Sequence, residues 1–376
     1  MASTVYLAIV GVGVVGTALL EQLAQVPEAP HLVLLSRSSK TLLAPTPSYA
    51  PPIPFVDWES ATVTPSITTV DGLRPDEIEA YLSLVPGRVV LIDNTSSLAL
   101  AQAYPAFLKK GISVVTPNKK GFSDDISLWN DIFASANEGN ALIYHQATVG
   151  GSLPILSTLR GLISAGDEIV KIEGVLSGTL SLLFDTYMPA IGTTDSTWSS
   201  LVAHALGIGF MEPDPRDDLN GMDFARKLTI LARVVGLQIA GPDAFPVQSL
   251  IPIELRSIPS SAEGTSRFMK ELPKFDEHMA MARDQAQREG KVLRYIGSID
   301  VASQKIQVGL QHVEKDHPIA NLKGDQIVSI YTKGSGGNPL VLKGGGGGGE
   351  ITATCVMRDL LEVITHLKQP FNNSHI

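Results

Sequence analysis

Val5-Tyr-Leu-Ala-Ile-Val10 runs directly into Gly11-Val-Gly-Val-Val-Gly16, and Thr17-Ala-Leu-Leu-Glu-Gln-Leu23 follows. A short, continuous apolar run suits the buried middle of a parallel sheet, where both faces are covered. The run after the glycines reads as a helix. Gly11 permits the tight turn, Gly13 lets a pyrophosphate approach the backbone, and Gly16 allows close packing of helix on strand. Val12, Val14 and Val15 complete the loop, and the helix N-terminus offers amide donors and the positive end of its dipole. A bare G-x-G-x-x-G also describes a plain turn. Set between a strand and a helix, it reads as the loop of a dinucleotide-binding fold.

Working outward, His31-Leu-Val-Leu-Leu35 is a second strand. A carboxylate for the ribose hydroxyls is expected at its end, but Ser36-Arg37-Ser38-Ser39-Lys40 stands there instead. Arg37 and Lys40 would suit the 2′-phosphate of NADP; a solvated loop is the competing reading. Residues 41–70, rich in Pro, Ser and Thr, read as a long surface connection. The strands Arg88–Asp93, Ile112–Thr116 and Ala141–His145 come next, with helical stretches between them. This alternation implies an α/β fold, a Rossmann-type doubly wound parallel sheet over residues 1–150. Asn94-Thr-Ser-Ser97 and Pro117-Asn-Lys-Lys120 both follow strand ends, where such sheets bind ligands.

From Ala147-Thr-Val-Gly-Gly-Ser-Leu-Pro154 the chain changes character. Glu168–Leu176 alternates like a half-buried strand and ends in Ser177-Gly178-Thr179. Residues 292–300, 305–313 and 326–332 read as antiparallel strands, and 219–237 and 266–289 as helical blocks. Residues 151–340 thus form a second, α+β domain. Beyond it, Lys343 precedes six glycines, Gly344 to Gly349, and Val356, Leu360, Val363 and Leu367 then recur at helical spacing. The 341–376 segment is expected to return to the nucleotide domain. Such a glycine run, with Gly348 in it, can approach a ligand or act as a floppy linker.

The chain has 376 residues, too many for one compact core. No apolar run reaches membrane-spanning length, and the first strand lacks the basic start of a signal peptide. A single cysteine, Cys355, excludes an internal disulfide framework and fits a reducing compartment such as the cytoplasm. A net charge of −9 argues against nucleic acid as a partner. A phosphorylated ligand must then be held by local cations and backbone amides.

Glu212-Pro-Asp-Pro-Arg-Asp-Asp-Leu-Asn-Gly-Met-Asp-Phe-Ala-Arg-Lys227 packs five acids and three bases into sixteen residues of a chain only 18% charged. Its prolines and Asn220-Gly221 oppose helix in the first half. Asp223 and Lys227, four apart on the succeeding helix, share a face that continues into Ile230, Leu231 and Val234. Arg226 and Arg233 are expected to mark the wet side. A carboxylate and an ammonium on the rim of an apolar face suit proton transfer. An ordinary stabilising ion pair has the same spacing.

In several separated motifs, in order, the chain resembles homoserine dehydrogenases, which reduce L-aspartate 4-semialdehyde to L-homoserine. The likeness is strongest at 6–16, 88–122, 141–156, 168–184 and 212–233, and nearest to the short, monofunctional fungal-type enzymes. It implies NADP or NAD as cofactor, with Thr95, Ser96 and Lys119 by the nicotinamide ribose and Lys119 in the active site. It implies Lys227 as the general acid, assisted by Lys119 and oriented by Asp223. Glu212 and Asp218 would face the substrate ammonium group, and Gly178 and Thr179 its carboxylate. It also implies a Na+ or K+ ion on Gln146, Val149, Gly151 and Leu153, and a homodimer formed through the α+β domain. Three features depart from the family pattern: Gln146 in place of glutamate, Phe210-Met211 in place of tyrosine-threonine, and the unbroken glycines. Two other readings are an aspartate-semialdehyde-type dehydrogenase, which needs a cysteine nucleophile, and a catalytically silent NAD(P)-binding sensor.

Overall fold

The computed structural model describes residues 4–60 and 66–368. The chain divides into two units, one of residues 1–152 and 348–376, the other of residues 153–347. The first is built on a seven-stranded sheet: β1 (Val5–Val10), β2 (His31–Arg37), β3 (Lys40–Leu43), β4 (Thr68–Asp71), β5 (Arg88–Asp93), β6 (Ser113–Val115) and β7 (Ile143–Tyr144). Its order is β4-β3-β2-β1-β5-β6-β7. The strands from β2 to β7 in that order run parallel, whereas β3 and β4 are antiparallel additions at one edge. Leu7, Ala8 and Ile9 are fully buried, as a strand covered on both faces requires. The order in which strands are laid down reverses direction between β1 and β5, so the crevice of a doubly wound sheet opens beyond Val10 and Asp93.

The 41–70 stretch departs from expectation. Lys40–Leu43 and Thr68–Asp71 pair as strands, and Ala44, Tyr49 and Ile53 between them are buried. Proline and serine content marked the exposed parts of this segment and hid the apolar side chains that anchor it. The second strand is also longer than predicted, for Ser36 and Arg37 stay in β2 and Arg37 pairs with Lys40 across a two-residue turn.

The Gly349–Lys368 helix lies in this first unit against the Val14–Leu23 helix. It buries Val356, Leu360 and Val363 with Leu19, Leu20 and Leu23, as its spacing predicted; Ala353 joins them, and Leu367 is only partly buried. Gln22 Nε2 donates to Thr354 Oγ1 at 3.0 Å on the rim of this contact.

The second unit has a five-stranded antiparallel sheet ordered β10-β9-β8-β11-β12: β8 is Ile169–Val175, β9 Val292–Asp300, β10 Lys305–Val313, β11 Gln326–Thr332 and β12 Leu340–Gly344. The helical block expected at 219–237 is broken. One turn, Arg216–Leu219, precedes the Met222–Val234 helix. The other block resolves into Ala262–Glu271 and Asp276–Arg288 with a 3-10 turn between. Phe224 and Leu228 press on β9 at Gly297, where an added Cβ would fall 2.5 and 2.6 Å from them. Among the described residues no helix is long and apolar enough to cross a membrane.

Candidate active site

The glycine loop is shaped by its neighbours. Gly11 has φ +98°, and its amide donates to the Ser36 carbonyl at 2.9 Å. A Cβ there would approach Thr95 Cγ2 to 2.8 Å, and one on Gly16 would come within 2.1 Å of the Gly11 carbonyl oxygen. Gly13 faces open space instead, and no side chain caps the Val14–Leu23 helix it begins. Its first-turn amides are left for an anion. Val12 is buried, Val15 half-buried and Val14 exposed. Beside them the Asn94 amide group is buried with no hydrogen-bond partner among the described residues. Uncapped amides, an open glycine and an orphaned polar group fit a dinucleotide bound here.

Arg37 and Lys40 are exposed on the β2–β3 hairpin. Arg37 reaches Glu59 at 3.4 Å, but both side chains are more than half exposed, so the pair holds Arg37 weakly.

The ends of β5 and β6 are tied by a buried polar network that sequence reasoning missed. Asp93 Oδ2 accepts from Tyr104 Oη at 2.5 Å and from Asn118 Nδ2 at 3.0 Å, while Thr116 Oγ1 donates to the Asp93 carbonyl at 2.7 Å. Asp93 Oδ1 accepts from the Thr95 amide at 2.7 Å, and Thr95 Oγ1 from the Ser97 amide at 3.0 Å. Asn118 also donates to the Ser97 carbonyl at 2.9 Å and accepts from the Lys120 amide. The two loops carrying Thr95, Ser96 and Lys119 are thereby fixed to one another. Burial pushes the Asp93 carboxyl upward, and the donors from Thr95, Tyr104 and Asn118 oppose it. The only signal in the sequence was a carboxylate closing an apolar strand.

The acidic segment turns a corner at Asn220-Gly221. Gly221 has φ +79°, Asn220 Oδ1 accepts from the Met222 amide at 2.7 Å, and a Cβ on Gly221 would meet Tyr295 Oη at 2.3 Å. The corner separates Asp218 from the helix that bears Asp223 and Lys227. Lys227 is buried; its Nζ donates to the Leu176 carbonyl at 2.7 Å and pairs with Asp223 Oδ2 at 2.8 Å. Leu176 immediately precedes Ser177-Gly178-Thr179, so the lysine is tied to the start of that turn. Thr179 Oγ1 donates to the Phe210 carbonyl at 3.2 Å, and Asp218 Oδ2 accepts from the Glu212 amide at 2.9 Å. Burial, helped by the negative charges of Glu212 and Asp223, pushes the Asp218 carboxyl up to about 6. Glu212, Asp218, Asp223, Lys227 and the Gly178–Thr179 turn therefore belong to one neighbourhood. Arg233 does not mark a wet side: it is buried, and its guanidinium donates to the Ile239 and Ala240 carbonyls just past its own helix.

Gln146 begins a 3-10 turn, Gln146–Thr148, and its amide donates to the buried Asp359 carboxylate at 2.9 Å. Gly150 and Gly151 come after it with φ +84° and +58°, and Val149 is fully buried. Leu153 opens the second unit.

The six glycines are not equivalent. A Cβ on Gly346 would lie 2.1 Å from Gln326 Cδ, and one on Gly349 2.3 Å from Val14 Cγ1. Gly348 has φ +99°, whereas Gly347 would meet nothing within 4 Å.

Comparison with known proteins points to one family. The pattern described as homoserine dehydrogenase matches residues 154–361, and that described as homoserine dehydrogenase, NAD binding domain, matches 11–146. Homoserine dehydrogenase from Emericella nidulans is 58% identical over 98% of this chain and 100% of its own length. That of Saccharomyces cerevisiae is 41% identical over 96% and 99%. A Candida auris protein described as of unknown function superposes with TM-score 0.88 at 40% identity, covering 97% of this chain and 99% of that one. A hyperthermophilic archaeal homoserine dehydrogenase in complex with NADPH has the same fold, with TM-score 0.69 at 21% identity over 98% and 99% of the two chains. With both domain patterns matched and near-complete alignment to fungal relatives, this chain belongs to the homoserine dehydrogenase family of NAD(P)-dependent oxidoreductases.

Proposed function

We propose that Lys227 exchanges the proton at the substrate oxygen during the interconversion of L-aspartate 4-semialdehyde and L-homoserine. The observation that carries this is a buried ammonium held between the Leu176 carbonyl and Asp223, beside a turn lined by Glu212 and Asp218. When bound, a nicotinamide cofactor would supply the hydride in the biosynthetic direction. Asp223 orients Lys227, and Glu212 and Asp218 hold the substrate ammonium group. The Gly178–Thr179 turn receives its carboxylate. Lys119 assists electrostatically, at the start of the loop that Asn118 fastens. Gly11 to Gly16, Thr95 and Ser96 hold the dinucleotide, with Gly348 at the edge of the glycine run, and Arg37 and Lys40 favour NADP.

Oxidation of homoserine with each nicotinamide cofactor tests the reading and measures the preference. Lys227→Ala should lower kcat at least about a hundredfold with dinucleotide binding near normal. Near wild-type turnover in that variant would return Lys227 to the role of a structural ion pair. A cysteine-dependent aldehyde dehydrogenase is disfavoured, because Cys355 is buried and its thiol is pushed up to about 12, mainly by burial. A homodimer through the second unit is also proposed; sedimentation at the monomer mass of 40.0 kDa would remove it.

A further inference from the structure

We infer that the buried Arg294–Asp185 pair is a positioning device for substrate binding, holding the Gly178–Thr179 turn from two sides. This rests on the proposed assignment of that turn to the substrate carboxylate. Arg294, on β9, is 1% exposed. Its Nη1 donates to the carbonyls of Phe184 (3.2 Å), Met188 (2.9 Å) and Leu293 (2.7 Å), and its Nη2 to that of Ala320. Nη2 also stands 2.8 Å from Asp185 Oδ1. The other Asp185 oxygen accepts from the Leu322 amide at 2.8 Å and from the Lys323 amide.

Two supports of the turn thus converge on one ion pair. The first is the Gly178–Tyr187 helix, whose N-terminus is the turn itself, with the Ser177 hydroxyl accepting from the Leu180 amide at 3.2 Å. Arg294 takes the carbonyls at the opposite end of that helix, where a cation also complements the dipole. The second is the 318–324 loop. Its Gly324 carbonyl would lie 3.3 Å from a Cβ placed on Gly178, so loop and turn are in close apposition. Lys343 Nζ adds a 3.3 Å bond to the Asn321 carbonyl of the same loop.

A pair kept only for stability would not need to join these particular elements. A lysine can replace the fork only in part: it keeps the charge beside Asp185, but one ammonium does not span carbonyls on the helix end, β9 and the loop together. Asp185 has an equally specific task, because its two oxygens serve the cation and the loop amides separately. Burial pushes the Asp185 carboxyl upward against the pull of Arg294, a cost that well-packed apolar residues would avoid.

The test uses the full chain and steady-state homoserine oxidation, with the folded fraction counted by dinucleotide titration. Arg294→Met should raise the KM for homoserine by about tenfold, with kcat and the dinucleotide KM within about twofold, and Arg294→Lys should recover part of the loss. If Arg294→Met does not fold, Asp185→Asn carries the test, since its amide oxygen still accepts from the loop while the charge pairing is gone; a severalfold rise in KM is expected. An unchanged homoserine KM with less folded enzyme would overturn the inference and leave a purely structural pair. Thr179→Ala separates the two readings. If it raises the homoserine KM while the pair variants do not, only the positioning role fails. If it too leaves KM unchanged, the substrate-site assignment fails and the positioning role with it.

Discussion

Asp218 combines burial with two acidic neighbours, and its carboxyl is pushed up to about 6. In the proposed site the substrate ammonium group would be attracted only to the ionised form. As pH falls below about 6 Asp218 takes up a proton, so kcat/KM for homoserine should fall there, and Asp218→Asn should remove that limb of the profile. The same shift bears on stability. Because the folded-state value lies above that of the unfolded chain, the folded protein holds the proton longer, and Asp218 becomes a net cost as pH rises from about 4 through 6. Asp218→Asn should therefore unfold later than the parent at pH 7, by on the order of 1 kcal/mol after allowing for partial solvent access, while binding substrate more weakly. Loss of stability at neutral pH in that variant would show that the charged form is well satisfied in the fold.

Among the elements, the glycine run combines positions of different character. Gly348 has φ +99°, so Gly348→Ala should cost about 1–2 kcal/mol in chemical denaturation. Gly347 has open space around it, and Gly347→Ala should be neutral or stabilising by about 0.4–1 kcal/mol through the unfolded state. Equal effects at the two positions would mean that the whole run is a floppy linker. The Met222–Val234 helix shows how far periodicity carries. Its spacing foretold the shared side of Asp223 and Lys227 and the buried Ile230 and Leu231. It misjudged Arg233, because an arginine can bury its stem and end on the carbonyls beyond its own helix.

For the whole molecule, the bend from Gln146 to Leu153 carries the proposed cation site. A Na+ or K+ ion there, on the carbonyls of Val149, Gly151 and Leu153 with the Gln146 oxygen, is proposed from family resemblance; two consecutive glycines of positive φ give the bend a shape that can present carbonyls. Melting temperature and activity should then respond to Na+ or K+ at constant ionic strength, and Gln146→Glu should sharpen the response. If neither ion has any effect, in the parent or in that variant, the bend is an ordinary glycine turn. Asp359 already holds the Gln146 amide from the Gly349–Lys368 helix, and Arg358 Nη1 donates to the Ser152 carbonyl at 3.0 Å. The bend is therefore anchored by protein contacts whether or not an ion binds.

By itself the sequence determined the features that local order dictates. The apolar run of β1, the glycine spacing after it, the helical stripe of the tail and the four-residue step from Asp223 to Lys227 are all set by neighbours along the chain. It also carried the family, since several motifs in order are far more specific than any one. Only the tertiary structure decided which distant groups satisfy each other. Tyr104, Thr116 and Asn118 meet on Asp93 because β5 and β6 lie side by side. Tyr295 stands over Gly221, and Arg294 gathers carbonyls from three separate segments. A buried polar group must find a partner, but the chain does not record which one. That choice is made by packing, once the strands and helices have brought their ends together.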